Sequence, residues 1–299
     1  MPDYLKAEIA HARELGFADP RITRLPSARQ RVELVEGLKG IDLRVYLDGE
    51  IQCSSDDEYR YHELLVHPAM ALPAQRVLVV GGGTGNVVRE LIRYLDLEQV
   101  VLVDPDEAIT AAAATHPALL ELNGGAMADE RVEVVHADAT RWVHQRSPGG
   151  FDVAVLDLPD PATAQLAGLY SAEFLRGVAD MLLPGGRMVA QACSPWLAPR
   201  VFWCQIKTVR LVRERVIPLW THVPSFGEWG FHLSSDDEYR YHELLVHPAM
   251  ALPAQRVLVV GGGTGNVVRE LIRYPDLEQV VLVDPDEAIT AAAATHPAL

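Results

Sequence analysis

Cysteine is scarce: Cys53, Cys193 and Cys204 are the only three in 299 residues. An odd number without C-x2-C spacing excludes a disulfide framework, gives no zinc signature, and suits a reducing compartment. Long apolar runs are also missing. None approaches the ~20 residues needed to cross a bilayer, and the opening MPDYLKAEIA holds no signal-peptide apolar stretch. No transmembrane segment is expected, and the cytoplasm is the expected address. Positive charge is in deficit, with 26 Lys and Arg against 41 Asp and Glu, a formal charge of -15. Such a surface repels phosphate backbones and anionic membranes and favours cationic ligands, so nucleic acid is not an expected partner. Low-complexity tracts are absent apart from the helix filler Ala111 to Ala114. The rest is ordinary: 49% hydrophobic and 22% charged residues describe a folded chain, with room for one large domain or two small ones.

One repeat stands out. Ser54 to Leu119 reappears as Ser234 to Leu299, offset by 180 residues, and the single difference is Leu95 becoming Pro275. Solenoid repeats are shorter and diverge from one another; near-identity over 66 residues reads as a recent duplication or an assembly accident. Each copy carries 10 acidic and 4 basic residues, a charge of -6, which leaves -9 on residues 1–233. The second copy holds a Gly-rich turn and two strand candidates but nothing like the segments that follow Leu119, so it cannot close a full sheet alone. It either hangs as an appendage, which is the expectation, or replaces the first copy in a permuted sheet over residues 120–299. The expected divisions are an N-terminal helix and β-hairpin unit (1–72), a catalytic domain (73–233) and the incomplete duplicate (234–299).

From Val77 onward short apolar runs alternate with helix-period segments, the pattern of a parallel sheet covered by helices. Strands are predicted at Arg76 to Val80, Gln99 to Val103, Val132 to His136, Asp152 to Leu156 and Arg187 to Gln191. Between the first two, Val87, Val88, Leu91, Ile92 and Leu95 recur at helical spacing. A helix around Val201 to Leu211 precedes Val216 to His222 and Gly230 to Leu233, an antiparallel pair finishing the sheet. Upstream, Leu43 to Leu47 and Ile51 to Cys53 flank Asp48-Gly49, a strong hairpin signal. The first residues suggest an amphipathic helix through Tyr4, Leu5, Ile9 and Ala12.

The sharpest motif is the apolar run Val77 to Val80 followed by Gly81-Gly82-Gly83-Thr84-Gly85-Asn86. A strand turning tightly into a helix needs residues without side chains, both to reach positive φ and to let a ligand approach backbone amides. No Lys-Ser or Lys-Thr follows, so it is not a P-loop, and Asn86 spoils a dinucleotide fingerprint. Asp104 ends the next strand, 19 residues after Gly85, where a carboxylate can accept both hydroxyls of a ribose; the other reading is a surface loop acid beside Asp106 and Glu107, and the preceding glycines favour the first. Asp138 follows the third strand, placed either to accept from an adenine amino group or to start a helix. Asp157-Leu158-Pro159-Asp160-Pro161 ends the fourth, where open α/β sheets bind ligands. Two carboxylates held by two prolines make either a stiff loop or a pocket that binds a cation and accepts a proton. His62 and His67 lack a third ligand by sequence, so no metal is expected.

Taken in order, Leu47-Asp48-Gly49-Glu50-Ile51-Gln52, Asp57-Glu58-Tyr59-Arg60-Tyr61-His62-Glu63, the Gly-rich turn, Asp157-x-x-Asp160-Pro161, Leu169-Tyr170-Ser171 and Val223-Pro224-Ser225-Phe226-Gly227 resemble the spermidine synthase (polyamine aminopropyltransferase) family. The likeness covers about residues 30–233 and extends to the soluble catalytic part of the branch whose members often carry an N-terminal membrane domain. It implies a methyltransferase-like, doubly wound (Rossmann-like) α/β sheet with a small N-terminal β-rich unit, and transfer of an aminopropyl group from decarboxylated S-adenosylmethionine to putrescine. No permanently bound cofactor is implied, and a homo-oligomer, a dimer, is expected. By position, Gly81, Gly83, Thr84 and Gly85 would cradle the cosubstrate, Gln52, Tyr61 and His62 would line its site, Asp104 would hold the ribose and Asp138 the adenine. Asp157 would be the base, Asp160 would help to hold the amine, and Tyr170 and Gln191 would border the site, with Tyr61 and His62 also reaching substrate. Thr84 and Asn86 stand where well-known members show Asp and Gly, and Phe226 where some show Tyr. Thr84 keeps an S-adenosylmethionine methyltransferase open, and the repeat keeps open a non-catalytic assembly module.

Overall fold

The computed structural model describes residues 3–38, 42–145, 149–236, 245–246, 250, 254–262, 265–285 and 290–291. The chain begins with α1 (Asp3–Glu14), which buries Leu5, Ile9 and Ala12 at helical spacing against Val35, Leu38 and Tyr46; the side chain of Tyr4 lies outside the described residues. An antiparallel sheet follows, β1 (Arg21–Leu25), β2 (Val32–Glu36), β3 (Leu43–Leu47) and β4 (Glu50–Ser54), paired in that order. β3 and β4 form the hairpin at Asp48-Gly49, where both turn residues take positive φ, 51° and 96°, as a two-residue primed turn requires. β1 and β2 are additional to it. β2 does not alternate, because Glu33 lies buried among Val32, Leu34 and Val35 and is paired there with Arg24 at 2.9 Å and Arg31 at 3.5 Å.

The larger unit runs α2 (Glu58–Val66), β5 (Arg76–Gly81), α3 (Asn86–Leu91), β6 (Gln99–Val103), α4 (Glu107–Thr115), α5 (Pro117–Asn123), β7 (Val132–Val135), α6 (Ala139–His144), β8 (Phe151–Asp157), α7 (Ala164–Gly168), α8 (Ala172–Asp180), β9 (Leu182–Gln191), α9 (Pro199–Val209), β10 (Arg215–Val223) and β11 (Gly227–Ser235). The sheet order is β10-β11-β9-β8-β5-β6-β7. β5 to β9 are parallel, while β10 and β11 are antiparallel. Residues of each parallel strand alternate between two cores. Val77, Val79, Val100 and Leu102 meet Tyr61, Leu65 and Leu91 on one face; Leu78, Val80, Val101 and Val103 meet Trp142, Phe174 and Val178 on the other. Each fully buried Val or Leu contributes about 1.5–3 kcal/mol, which makes these two layers the main source of stability. α2 therefore packs on the large sheet, although it lies within residues 1–72. Pro218 is accommodated because β10 is an edge strand, where its missing N–H breaks no ladder.

Chain order in the sheet reverses at β5, which has β6 on one side and β8 on the other. That creates a crevice at the carboxyl ends of β5 and β8, where Gly81 pairs with Asp157. Two sequence expectations shift. The helix after the glycine turn ends at Leu91, and Leu95 is 97% exposed, so Pro275 falls in an exposed turn beyond the matching helix Asn266–Leu271, where a lost donor costs little. β9 begins at Leu182, earlier than its apolar run suggests.

The first copy supplies β5 and β6. The second forms a separate two-stranded parallel sheet, β12 (Arg256–Val260) and β13 (Gln279–Val283), with the same register as β5 and β6. Its Leu258, Val260, Val281 and Val283 are exposed, whereas Leu78, Val80, Val101 and Val103, the same residues in the first copy, are buried. The helices α6 and α8 that cover that face occur once in the chain, which accounts for the difference.

Candidate active site

The glycine turn between β5 and α3 is required by its surroundings. Gly81 has φ +78°, and a Cβ there would lie 2.1 Å from the Asp157 carbonyl oxygen. At Gly83 a Cβ would lie 2.7 Å from Asp104 Oδ2, and at Gly85, φ +85°, it would lie 2.9 Å from Met127. Thr84, between them, is half-buried, and its carbonyl accepts from the Asn123 amide at 3.0 Å. The turn thus presses directly against two carboxylate-bearing strand ends.

Asp104 follows β6 and is buried, its Oδ1 accepting from the Asp106 amide at 2.8 Å. Burial pushes its carboxyl up to about 6, against the lowering effect of hydrogen bonds from the Asp106 and Gly83 amides. A carboxylate short of solvation is well suited to receive hydroxyl donors. Asp138, beyond β7, caps α6: it accepts from the Arg141 amide at 3.1 Å and from the Thr140 hydroxyl. The Thr140 bond chiefly holds it below the usual carboxylate range. Of the two uses the sequence allows, the helix start is in place.

Asp157 ends β8, and its Oδ1 accepts from the Tyr61 hydroxyl at 2.7 Å. Burial first, and then the charge of Asp157, push the Tyr61 phenol well above its ordinary value, so it stays a donor. Asp160 accepts from the Gln191 amide at 3.2 Å and faces the Cys193 thiol at 3.3 Å. The same Gln191 amide reaches the Leu158 carbonyl at 2.8 Å and the Tyr170 hydroxyl at 2.5 Å, while Tyr170 donates to the Pro159 carbonyl at 2.9 Å. Gln191 and Tyr170 therefore fasten the 157–161 loop.

His62 is buried with Nδ1 2.6 Å from Glu58, which is itself bonded to Arg89 at 2.6 Å; its ring stands edge-on to Tyr61 with centroids 5.0 Å apart. It braces Tyr61. Gln52 sits on β4, with its amide toward the Glu50 carbonyl at 3.4 Å. Among the described residues it makes no hydrogen bond to the Tyr61–Asp157 group. Sequence reading passes over Cys193, whose φ of +55° turns it toward Asp160 and whose thiol burial raises to about 12. It also passes over the Glu58–Arg89 pair, which charge spacing alone could not reveal across 31 residues.

Two other places invite attention and are already satisfied. Glu63, His67 and Glu90 converge as a metal site would, but the Arg93 guanidinium lies 2.5 Å from Glu90 and 3.9 Å from Glu63, where a cation would compete. A cavity of about 260 Å³ lined by Arg76, Gln99, Glu133, Trp142 and Phe151 opens at the opposite end of the strands; there Arg76 bonds Gln99, and Gln99 bonds Glu133. What the carboxyl edge offers is different: a backbone cradle beside a buried acid, next to two carboxylates, a phenol and an amide. That set can seat a nucleoside against a cationic amine and accept a proton.

Residues 58–240 and, within the second copy, 238–293 match the family described as Spermine/spermidine synthase domain. Polyamine aminopropyltransferase of Mycobacterium tuberculosis is 46% identical over 224 residues, 74% of this chain and 42% of that protein. The polyamine aminopropyltransferase of Oceanobacillus iheyensis is 42% identical over 224 residues, 74% and 43% of the two chains. This chain thus spans less than half the length of these curated relatives. Among solved structures, a spermidine synthase in complex with the transition-state analogue AdoDATO aligns with a TM-score of 0.68 at 26% identity, over 73% of this chain and 74% of that one. Spermidine synthase from Thermotoga maritima gives a TM-score of 0.66, also at 26% identity and over 73% of each chain.

Proposed function

Because the chain belongs to the spermine/spermidine synthase family, we propose that it transfers the aminopropyl group of decarboxylated S-adenosylmethionine to putrescine, giving spermidine and methylthioadenosine. The observation that carries this reading is the Tyr61 hydroxyl bonded to Asp157 at 2.7 Å, opposite Gly81 at the sheet's switch point. A primary amine with a pKa near ~10.4 is protonated at neutral pH and has no free lone pair. Asp157 orients it and takes its proton as nitrogen attacks the methylene beside the sulfonium. The new C–N bond forms, the C–S bond breaks, and its electron pair leaves on the sulfur of methylthioadenosine. Asp160, held by Gln191, offsets the repulsion between two cationic substrates, and holding both in line supplies much of the remaining acceleration. Decarboxylated S-adenosylmethionine is a cosubstrate here, and no resident cofactor is needed.

Incubation with putrescine and either cosubstrate tests the reading. Methylthioadenosine formed from decarboxylated S-adenosylmethionine supports it; S-adenosylhomocysteine formed from the intact compound replaces it with methyl transfer. Exposed Trp196, Leu197, Trp203 and Trp220 supply apolar surface for the homodimer that belongs to the same reading, checked by light scattering. The free thiols Cys53 and Cys193 suit the reducing cytoplasm.

Asp104 gives this reading a pH dependence. Its folded carboxyl is raised to about 6 from an ordinary 3.8, so ionising it disfavours the free fold as pH rises through that window. Ribose hydroxyls bind the ionised form. Methylthioadenosine affinity should therefore fall as pH drops below about 6, by up to about tenfold per pH unit, and Asp104→Asn should flatten the profile. Calorimetric titration between pH 5 and 8 measures both; an unchanged wild-type affinity across that range would remove the ribose role.

A further inference from the structure

Asp57 stands at the cap position of α2, yet its side chain caps nothing there. Its carboxylate instead accepts from the Ser225 amide at 2.6 Å and from the Ser225 hydroxyl at 2.6 Å, across 168 residues, and it is buried. Charge-assisted bonds of this length are among the strong ones. Ser225 lies in the turn joining β10 to β11, which is closed by the Phe226 amide on the Val223 carbonyl at 2.8 Å. Phe226 in turn stands edge-on to Tyr61, with centroids 6.4 Å apart and planes at 74°, and contacts Trp229 at 5.4 Å. Asp57 and Tyr61 are four residues apart, so they share one side of the start of α2. One turn is therefore gripped by Asp57 and packed by the residue that donates to Asp157.

Sheet order says which substrate that turn faces. β10 and β11 lie beyond β9 on the Asp157 and Gln191 side of the crevice, whereas Asp104 and Asp138 follow β6 and β7 on the other side of β5. We propose that Asp57 and Ser225 are positioning residues for the acceptor amine: their clasp holds Phe226 against Tyr61 as an apolar wall for the methylene chain of the diamine. The inference rests on the aminopropyl-transfer reading. It makes the clasp a determinant of how firmly, and at what chain length, the acceptor is held, with little effect on the nucleoside half.

Ser225→Ala removes the hydroxyl leg and keeps the amide leg. In the full chain it should raise KM for putrescine about tenfold while kcat and KM for decarboxylated S-adenosylmethionine stay within about twofold, the signature of lost ground-state binding on one substrate. Ser225→Thr, which retains the hydroxyl, should restore the diamine KM, and Asp57→Asn should exceed Ser225→Ala. Amide hydrogen exchange over residues 223–229 should speed up in step with KM. A merely structural clasp predicts a loss of active protein with both KM values intact, and that result overturns the proposal. So does a Ser225→Ala enzyme whose turn exchanges faster while its diamine KM is unchanged. A wild-type chain that forms no methylthioadenosine overturns the aminopropyl reading itself, whereas an active wild type with an indifferent Ser225→Ala variant overturns the clasp alone.

Discussion

Asp157→Asn should lower kcat by a factor on the order of 10³ while leaving the melting temperature and methylthioadenosine binding close to wild type. Asparagine keeps the shape of the side chain, and its carbonyl can still accept from the Tyr61 hydroxyl, which is 2.7 Å from Oδ1 in the wild type. Tyr61 remains a donor in either case, because burial is the larger cause of its raised pKa. What disappears is negative charge and basicity at the place where, in the aminopropyl-transfer reading, an ammonium must lose a proton. Positioned general bases contribute typically 10²–10⁴ in rate; the middle of that range is expected because Asp160 still attracts the amine but is bonded to Gln191 and faces Cys193. Single-turnover formation of methylthioadenosine measures the chemical step without product release. A variant within about threefold of wild type would mean that Asp157 serves binding alone and that the proton leaves by another route.

The sequence exposes the parallel half of the fold because its strands are buried on both faces. Val77, Val79, Val100 and Leu102 supply one core and Leu78, Val80, Val101 and Val103 the other, so β5 and β6 appear as unbroken apolar runs between glycines and polar turns. β1 and β2 escape the same reading, since Glu33 interrupts the pattern; its charge is compensated by Arg31 two residues before it and by Arg24, which only the antiparallel register sets opposite. Asp104 and Asp157 are legible because topology alone carries them to one edge, while Gln191 follows from the family resemblance. Asp138 is legible as the helix start it becomes, its cap lying within three residues along the chain, whereas His62 is placed by Glu58 and, through it, by Arg89, a partner that order along the chain does not show. The Asp57–Ser225 clasp joins two motifs that stand far apart in sequence and need the β10–β11 turn to meet.

The duplication permits an internally controlled experiment on which glycine turn serves the site. Gly81 and Gly261 have the same neighbours in sequence and nearly the same backbone, φ +78° and +80°, so alanine costs about 1–2 kcal/mol of left-handed strain at either. Their surroundings differ. A Cβ on Gly81 would lie 2.1 Å from the Asp157 carbonyl oxygen and 3.0 Å from its carbon, which are backbone atoms that cannot swing aside, whereas a Cβ on Gly261 meets nothing within 4 Å. Gly81→Ala must therefore part β5 from β8 at the pairing that seats Asp157, adding about 1–3 kcal/mol of overpacking to the strain and displacing the base by enough to cost about 10² in rate. Gly261→Ala should leave kcat within about twofold, its strain confined to the small β12–β13 unit. Thermal melts and steady-state assays on the two full-length variants make the comparison. The opposite ranking would place the second copy between β8 and β7, since only the copy paired with β8 brings its glycine against Asp157.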